Sequence, residues 1–290
     1  MTRHTHKHAW TEAEQQRAET QPQIVRRLDV LADEQHALRD RLLAAAQIAQ
    51  AAYGDEIHWG EFAERAGAHF SEVVNVTDHV DRIDAQVCVA TTREVCVIAY
   101  RGTPSHSLDA WLRNLQSRQS DYLWGRVHSG FLTEYLALEQ RLQAVLKYCH
   151  KQQQLVIVGH SKGGALATID AFTRNRMNRQ RGTVYTFGSP RCLAWNCAEY
   201  LDADRCYYGP PHYRCRHSND AVPLVPGLLN LARYHHCGEL VLIAEDGQLL
   251  DRPTRWQRLR EAFAGYRFDA LEDHFIGSYL AALEIGHDHA

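Results

Sequence analysis

The chain has 290 residues, of which 45% are apolar and 23% are charged, and its formal net charge is −3. This composition is typical of a globular protein with enough apolar material for a large core. The small negative charge gives no electrostatic reason to expect nucleic acid as a partner, and no stretch approaches the ~20 consecutive apolar residues of a membrane-spanning helix.

The N-terminal segment is polar. Residues 1–10 contain three histidines and no apolar run, so we interpret them as a flexible, His-rich tail and not as a secretory signal. We therefore expect a cytoplasmic protein, with export by a leaderless route as the alternative. No Cys-x-x-Cys pair has the spacing of a metal site, so no metal is expected. Free thiols are expected, although the cysteines from Cys192 to Cys237 permit disulfides after export.

The first half of the chain begins with a long helical segment. Leu, Val and Ile recur at near-helical spacing between Thr11 and Tyr53, which predicts an N-terminal helical extension. Two short β-branched and apolar runs at 87–90 and 95–100 predict a hairpin or two neighbouring strands. A helical stripe of leucine and valine then covers residues 132–150.

The second half alternates strands with helices. The run Leu-Val-Ile-Val at 155–158 has no polar alternation, which is typical of a strand buried on both faces. The elements expected after it are a helix at 165–172, strands at 183–187, 213–216, 240–244 and 248–250, and a helix from Trp256 onward. This alternation predicts an α/β fold with a mostly parallel central sheet flanked by helices, plus an antiparallel addition near Leu240. We expect a single domain at residues 11–290.

One turn in this half carries a chemical signal. Residues 159–163 read Gly-His-Ser-Lys-Gly between a predicted strand and a predicted helix, which fits the Gly-x-Ser-x-Gly nucleophile elbow. The turn is so sharp that its flanking positions must lack side chains, and it lifts the hydroxyl of Ser161 clear of the sheet. Backbone N–H groups then lie beside that hydroxyl, where an oxyanion can form. A serine that only caps a helix is the alternative interpretation.

Further segments resemble motifs of the class 3 lipases, which are α/β-hydrolases. The resemblance covers about residues 43–283 in the family's order. It rests on Arg-Gly-Thr at 101–103, the tryptophan segment 109–115, His-x-Gly-Phe at 128–131, Phe-Gly-x-Pro-Arg at 187–191, Asp-x-Val-Pro at 220–223 and Asp-His at 273–274. The resemblance implies an α/β-hydrolase fold and hydrolysis of carboxylic esters, with lipids as the expected substrate class.

The catalytic residues of α/β-hydrolases follow one another as Ser, then Asp or Glu, then His. Ser161, Asp220 and His274 respect that order, and the resemblance implies their roles as nucleophile, acid and base. A serine hydroxyl needs an imidazole to take its proton, and the imidazole needs a carboxylate to hold its tautomer. His235 and His236 also follow Asp220 and stay open as alternatives for the base.

The resemblance also implies the surroundings of the nucleophile. The backbone N–H groups of Thr103 and Lys162 are expected to form the oxyanion hole. Expected in the substrate pocket or lid are Trp111, Leu112, Leu115 and His160. Position 162 departs from the fungal members, which usually carry leucine there, and a cation beside the pocket would favour an anionic or polar substrate.

The expected function is hydrolysis of acylglycerol or phospholipid esters through an acyl-enzyme on Ser161, without a cofactor. Esterase or acyltransferase activity on soluble substrates is one alternative. A catalytically inactive interaction protein with the same fold is another. Transient contact with a membrane surface fits a lipid substrate, and the sequence leaves the oligomeric state open.

Overall fold

The structure is a computed structural model, and it describes residues 26–33, 35–80, 83–108, 118–149, 151–207, 209–218, 220–226, 233–251, 254 and 272–285. The predicted His-rich tail at 1–10 lies outside the described residues. So do the first part of the predicted N-terminal helix and most of the region after Trp256. No helix in the described ranges is long and apolar enough to cross a membrane.

Eight of the ten strands in the described residues form one mixed sheet. The ten strands are β1 (Phe70–Asp78), β2 (Ile83–Thr91), β3 (Val95–Tyr100), β4 (Gln119–Tyr122), β5 (Gly125–His128), β6 (Gln154–His160), β7 (Thr183–Phe187), β8 (His212–His217), β9 (Glu239–Ile243) and β10 (Leu249–Asp251). The strand order in the sheet is β1-β2-β3-β6-β7-β8-β9-β10. Strands β3, β6, β7, β8 and β9 are parallel, and an antiparallel pairing adds strands at each edge. The mostly parallel sheet predicted from the sequence is confirmed.

Helices cover both faces of this sheet. They are α1 (Leu38–Ala51), α2 (Glu56–Arg65), α3 (Ser129–Val145), α4 (Lys162–Arg176), α5 (Trp195–Tyr207) and α6 (Ile276–Ile285), with short 3-10 turns at Leu28–Leu31, Leu146–Tyr148 and Val222–Leu224. Helices α1, α2 and α6 share one apolar core with the sheet, and α3 and α4 share the other. Strand β6 serves both cores because Val156 and Val158 face the first and Leu155 and Ile157 the second. This arrangement explains its unbroken apolar run.

The N-terminal helix differs from its prediction. A helix was expected from Thr11 to Tyr53. Within the described residues, however, α1 begins at Leu38, after a 3-10 turn and a short irregular segment. Ten of the fourteen residues of α1 are buried, and the alanines at 44–46 are at most 2% exposed. Small side chains allow a close approach of α1 to the sheet and α6. The helix is therefore a layer of the fold and not an appendage.

Candidate active site

Ser161 stands at the junction between β6 and α4. Its backbone has φ 56° and ψ −127°, a strained conformation for a residue with a side chain. The neighbouring glycines allow the turn: a Cβ on Gly159 would lie 2.2 Å from the carbonyl oxygen of Gly163, and a Cβ on Gly163 would lie 2.1 Å from that of Tyr100. The Ser161 N–H donates to the carbonyl of Phe187 at 2.9 Å. The structure thus contains the strained strand-to-helix turn that the sequence pattern predicts.

The three residues assigned to the triad lie together. His274 Nε2 is 2.8 Å from Ser161 Oγ, and His274 Nδ1 is 2.9 Å and 3.0 Å from the two carboxylate oxygens of Asp220. Ser161, Asp220 and His274 have no exposed surface. The carboxylate accepts from Nδ1–H, which leaves Nε2 free to accept the serine proton. They come from three separate parts of the fold: the elbow, the loop after β8 and the approach to α6.

Two further donors hold Asp220 in place. The Tyr279 hydroxyl in α6 donates to Oδ2 at 2.6 Å, and the Val222 N–H donates to Oδ1 at 2.9 Å. Burial acts to raise the pKa of Asp220, but attraction to His274 and the hydrogen bonds from His274, Tyr279 and Val222 outweigh it and lower the pKa. Asp220 is therefore a fully buried but ionised acceptor. Tyr279 could not be predicted as a site residue, because a tyrosine in an apolar helix looks like an ordinary core residue.

His160 supports His274 from behind. Its Nε2 lies 2.7 Å from the backbone carbonyl of His274, and its Nδ1 lies 2.7 Å from the hydroxyl of Tyr53. A carbonyl only accepts, so Nε2 carries the proton and Nδ1 accepts from Tyr53. Burial, together with repulsion from His274, lowers the pKa of His160 to about 3. His160 is thus a neutral group that ties the end of β6 to the loop carrying His274.

The two expected oxyanion donors flank Ser161. Lys162 is the first residue of α4, so its N–H has no acceptor within the helix and lies at the positive end of the helix dipole. Thr103 follows the turn after β3, and a Cβ on Gly102 in that turn would lie 3.1 Å from Ser161 Cβ. The Thr103 hydroxyl is buried and has no hydrogen-bond partner among the described residues. Lys162 is thus adjacent to the nucleophile in the chain, and Thr103 follows a glycine that lies close to it.

The side chain of Lys162 does not face the pocket. Its ammonium is buried 2.6 Å from Glu134 Oε2 in α3 and 2.7 Å from the backbone carbonyl of Asp84 in β2. The expectation that a cation beside the pocket selects anionic or polar substrates is therefore wrong. The carboxylate of Glu134 and the backbone carbonyl of Asp84 hold the ammonium on the side of the elbow away from the pocket.

A small cavity adjoins the site. Thr103, Ser105, Leu108, His160 and His274 are among the residues that line it. Residues 105–108 start a helical turn there, and Leu108 is buried. His160 thus lies at this cavity. The other residues predicted for a pocket or lid, Trp111, Leu112 and Leu115, lie outside the described residues.

The other candidate histidines lie in different environments. His236 Nε2 donates to the carbonyl of Pro223 at 2.7 Å, and His235 pairs through its backbone with Leu193. His128 caps α3 and contacts the ring of Phe131. None of these contacts involves Ser161, so the geometry favours His274 as the partner of the serine.

All eight cysteines are free thiols. Among the residues that the structure describes, no group of three or more His, Cys, Asp or Glu side chains is placed to hold a metal ion.

Comparison with known proteins finds a related family. A sequence model described as lipase (class 3) matches residues 97–230, a stretch that contains Thr103, Ser161 and Asp220. This stretch, which is less than half of the chain, is similar to the class 3 lipase family. The match stops short of His274, so only the distances above connect that residue to the other two.

Curated relatives match the chain over part of their length. Secreted mono- and diacylglycerol lipase 1 of Fusarium solani is 29% identical over 153 residues, which are 51% of this chain and 44% of the relative. Secreted mono- and diacylglycerol lipase A of Penicillium cyclopium is 27% identical over 155 residues, 51% of this chain and 48% of the relative. The matched part of the chain therefore spans less than half of each relative.

Solved structures show the same fold. The triacylglyceride lipase of Rhizomucor miehei superimposes with a TM-score of 0.66 at 20% identity, over 83% of this chain and 96% of that one. A lipase of Rhizopus microsporus var. chinensis gives 0.65 at 21% identity, over 81% and 85% of the two chains. The α/β-hydrolase fold predicted from the sequence is confirmed.

The predicted location is corrected by the same relatives. A cytoplasmic protein was expected because the N-terminal residues are polar. The mono- and diacylglycerol lipases of Fusarium solani and Penicillium cyclopium are both secreted. They point to an extracellular location, so the cytoplasmic prediction is wrong.

Proposed function

We propose that this protein is a serine lipase that cleaves acylglycerol esters through an acyl-enzyme on Ser161. The observation that carries the proposal is the unbroken chain of hydrogen bonds from Ser161 through His274 to Asp220, with contacts of 2.8 Å and 2.9 Å. A nucleophile, a base within reach of its proton and a carboxylate that orients the base are the three parts that acyl transfer requires. No cofactor takes part.

The first half of the reaction forms the acyl-enzyme. Ser161 Oγ attacks the ester carbonyl while His274 Nε2 takes its proton, and Asp220 stabilises the resulting imidazolium through Nδ1–H. Asp220 can do so because three donors already hold its carboxylate: His274, Tyr279 and Val222. The imidazolium then gives its proton to the leaving alkoxide, and the alcohol departs.

The second half repeats these roles with water. His274 takes a proton from water, the hydroxide attacks the acyl carbonyl, and the acid leaves as Ser161 regains its proton. In both halves the carbonyl oxygen becomes an oxyanion. The N–H groups of Lys162 and Thr103 stabilise it, with the unsatisfied hydroxyl of Thr103 as a further donor.

Acylglycerols are the proposed substrate class. The relatives from Fusarium and Penicillium are mono- and diacylglycerol lipases, and lipid esters are the substrates of this family. Ser161 and His274 have no exposed surface, so substrate reaches them only after the residues above the site move. Transient contact with a lipid surface is a means of driving that movement, and we include it in the proposal.

Replacement of Ser161 tests the chemistry. Ser161→Ala is expected to abolish hydrolysis of p-nitrophenyl butyrate and labelling by a fluorophosphonate, because it removes the only oxygen in reach of His274 Nε2 in the described site. Ser71→Ala, on the edge strand β1, is the control and should keep wild-type activity. Activity of the Ser161→Ala protein at the wild-type level would rule out the proposal.

A concentration series tests the substrate class. The rate on tributyrin, measured as its concentration crosses the solubility limit, should rise steeply when droplets form. A rate that saturates below that limit and does not rise above it would indicate an esterase for soluble substrates. A folded protein that binds no fluorophosphonate and cleaves neither ester would instead be an inactive interaction protein.

A further inference from the structure

Lys162 is the residue directly after the nucleophile, and its ammonium contacts two groups, the carboxylate of Glu134 and the backbone carbonyl of Asp84. The Lys162 side chain is 4% exposed, and its ammonium lies 2.6 Å from Glu134 Oε2. It also donates to the backbone carbonyl of Asp84 at 2.7 Å. The first turn of α4 is therefore tied to α3 on one side and to the start of β2 on the other.

The turn that carries Thr103 is tied to the same point. The Arg101 guanidinium pairs with the carboxylate of Asp84 and also donates to Gln86 Oε1 at 3.2 Å. The Arg101 N–H donates to the carbonyl of Gln86 at 3.0 Å. Arg101 is two residues before Thr103. The Lys162 ammonium and the Arg101 guanidinium therefore both contact Asp84, near the start of β2, and each lies close in sequence to one expected oxyanion donor.

Stability alone does not account for the buried pair of Lys162 and Glu134. Taking two charges out of water costs several kcal/mol per ion, and a well-packed apolar pair is often as stable or more stable. Burial raises the pKa of Glu134, and the charge of Lys162 opposes that rise. The ion pair does, however, hold the Lys162 ammonium at a short distance from Glu134, which apolar contacts would do only loosely.

We propose that Glu134 is a positioning residue of the oxyanion hole, which holds the Lys162 N–H in register with the N–H of Thr103 by way of the Lys162 side chain. This inference rests on the proposed function, since it concerns the same oxyanion. Glu134 touches neither substrate nor Ser161. It acts by fixing Lys162, whose backbone N–H contacts the developing charge. The ion pair of Arg101 with Asp84 then fixes the N–H of Thr103 relative to that of Lys162.

The expected effect follows from the value of an oxyanion donor. Complete loss of one donor lowers kcat by ~10²–10³. Glu134→Gln keeps both donors but removes the charge that fixes Lys162, so kcat should fall by about tenfold, with little change in KM. Glu134→Asp keeps the charge one methylene further away and should retain more of kcat than the glutamine variant.

Glu139 provides a matched control on the same helix. It pairs with Arg179 at 2.6 Å, away from the elbow. Glu139→Gln therefore removes an ion pair of the same kind from α3 without touching the residues around Ser161. All rates are expressed per active site titrated with a fluorophosphonate, so that unfolded protein does not enter the comparison.

A transition-state analogue separates positioning from general loss of stability. A trifluoromethyl ketone forms an adduct with Ser161 that carries an oxyanion, whereas the matching methyl ketone only occupies the pocket. In Glu134→Gln the inhibition constant of the trifluoromethyl ketone should rise by the factor by which kcat/KM falls, and that of the methyl ketone should stay the same. In Glu139→Gln neither constant should change.

The outcomes distinguish this inference from the proposed function. A wild-type protein without esterase activity, or an active Ser161→Ala protein, would overturn the function itself. If Ser161→Ala is inactive but Glu134→Gln keeps kcat per site within about twofold of Glu139→Gln, the positioning role is wrong. If Glu134→Gln cannot be obtained folded, Glu134→Asp decides by the same comparison.

Discussion

The unsatisfied hydroxyl of Thr103 gives a prediction in which stability and activity change in opposite directions. The residue is 8% exposed, and its hydroxyl has no partner among the described residues. Thr103→Val replaces that hydroxyl with a methyl group of similar size. It keeps the β-branched side chain and the backbone N–H, so the hydroxyl alone is removed.

The magnitudes follow from the two states of the enzyme. In the resting enzyme a buried hydroxyl without a partner costs roughly 1–3 kcal/mol, so Thr103→Val should stabilise the fold by about 1 kcal/mol. In a chain of this size that gain raises Tm by about 2 °C. In the transition state the hydroxyl donates to the oxyanion, and its loss should lower kcat by ~10²-fold, equivalent to about 2.7 kcal/mol.

The assay pairs thermal unfolding with kcat on p-nitrophenyl butyrate. Thr173→Val is the control, because the Thr173 hydroxyl is also buried but donates to the carbonyl of Ile169 at 2.8 Å. That variant should lose stability and keep kcat. A Thr103→Val protein with a lowered Tm and an unchanged kcat would refute the reasoning, since its hydroxyl would then serve the fold and not the reaction.

Two further predictions concern pH. Tyr279→Phe removes a donor to the ionised Asp220, so the free energy of unfolding should fall by ~1.5–3 kcal/mol at neutral pH. Since the folded-state pKa of Asp220 is lowered, this loss should shrink as pH falls through that pKa, and an equal loss at every pH would contradict it. Burial also lowers the pKa of His160 and His212 to about 3 and that of His236 well below its usual value. Each is neutral when folded and takes up a proton on unfolding below pH ~6.5, so together they should make unfolding more favourable by up to ~4 kcal/mol per pH unit near pH 5. Denaturant titrations between about pH 2 and pH 8 measure both effects, and a flat profile above pH 4 would show that these imidazoles are not neutral when folded.

The part of the site that sequence predicts best is the part set by backbone geometry. The elbow needs glycine at 159 and 163, because a side chain at either position would overlap backbone atoms. Only glycine fits at these two positions, so the turn can be recognised from the sequence alone. The order of Ser161, Asp220 and His274 is likewise imposed by the order of strands in the fold. From eighteen histidines it selected the one whose Nε2 lies 2.8 Å from Ser161 Oγ.

Residues that act through side-chain contacts were missed. Tyr279 looks like a core tyrosine and Glu134 like a solvated helix residue, and only the distances of 2.6 Å to Asp220 and Lys162 reveal their contacts. The departure from leucine at position 162 was the one signal that pointed to Glu134. It was interpreted as a cation facing the substrate, because sequence does not tell on which side of an elbow a long side chain lies.

Fold elements with weak patterns were also missed. Strand β1 was not predicted, since its partly exposed, polar-interrupted sequence resembles a loop until it pairs with β2 along its whole length. The small antiparallel pair of β4 and β5 and helix α5 were likewise absent from the prediction. Their stability comes from tertiary contacts, which local propensity does not register.

Mass spectrometry of the protein quenched during turnover of a slow ester tests the central claim most directly. We predict that wild-type protein gains the mass of one acyl group on the peptide that contains Ser161, and that His274→Ala gains none in the same time. An acyl group found on another residue, or hydrolysis without any covalent intermediate in a protein that turns over the ester, would contradict the account.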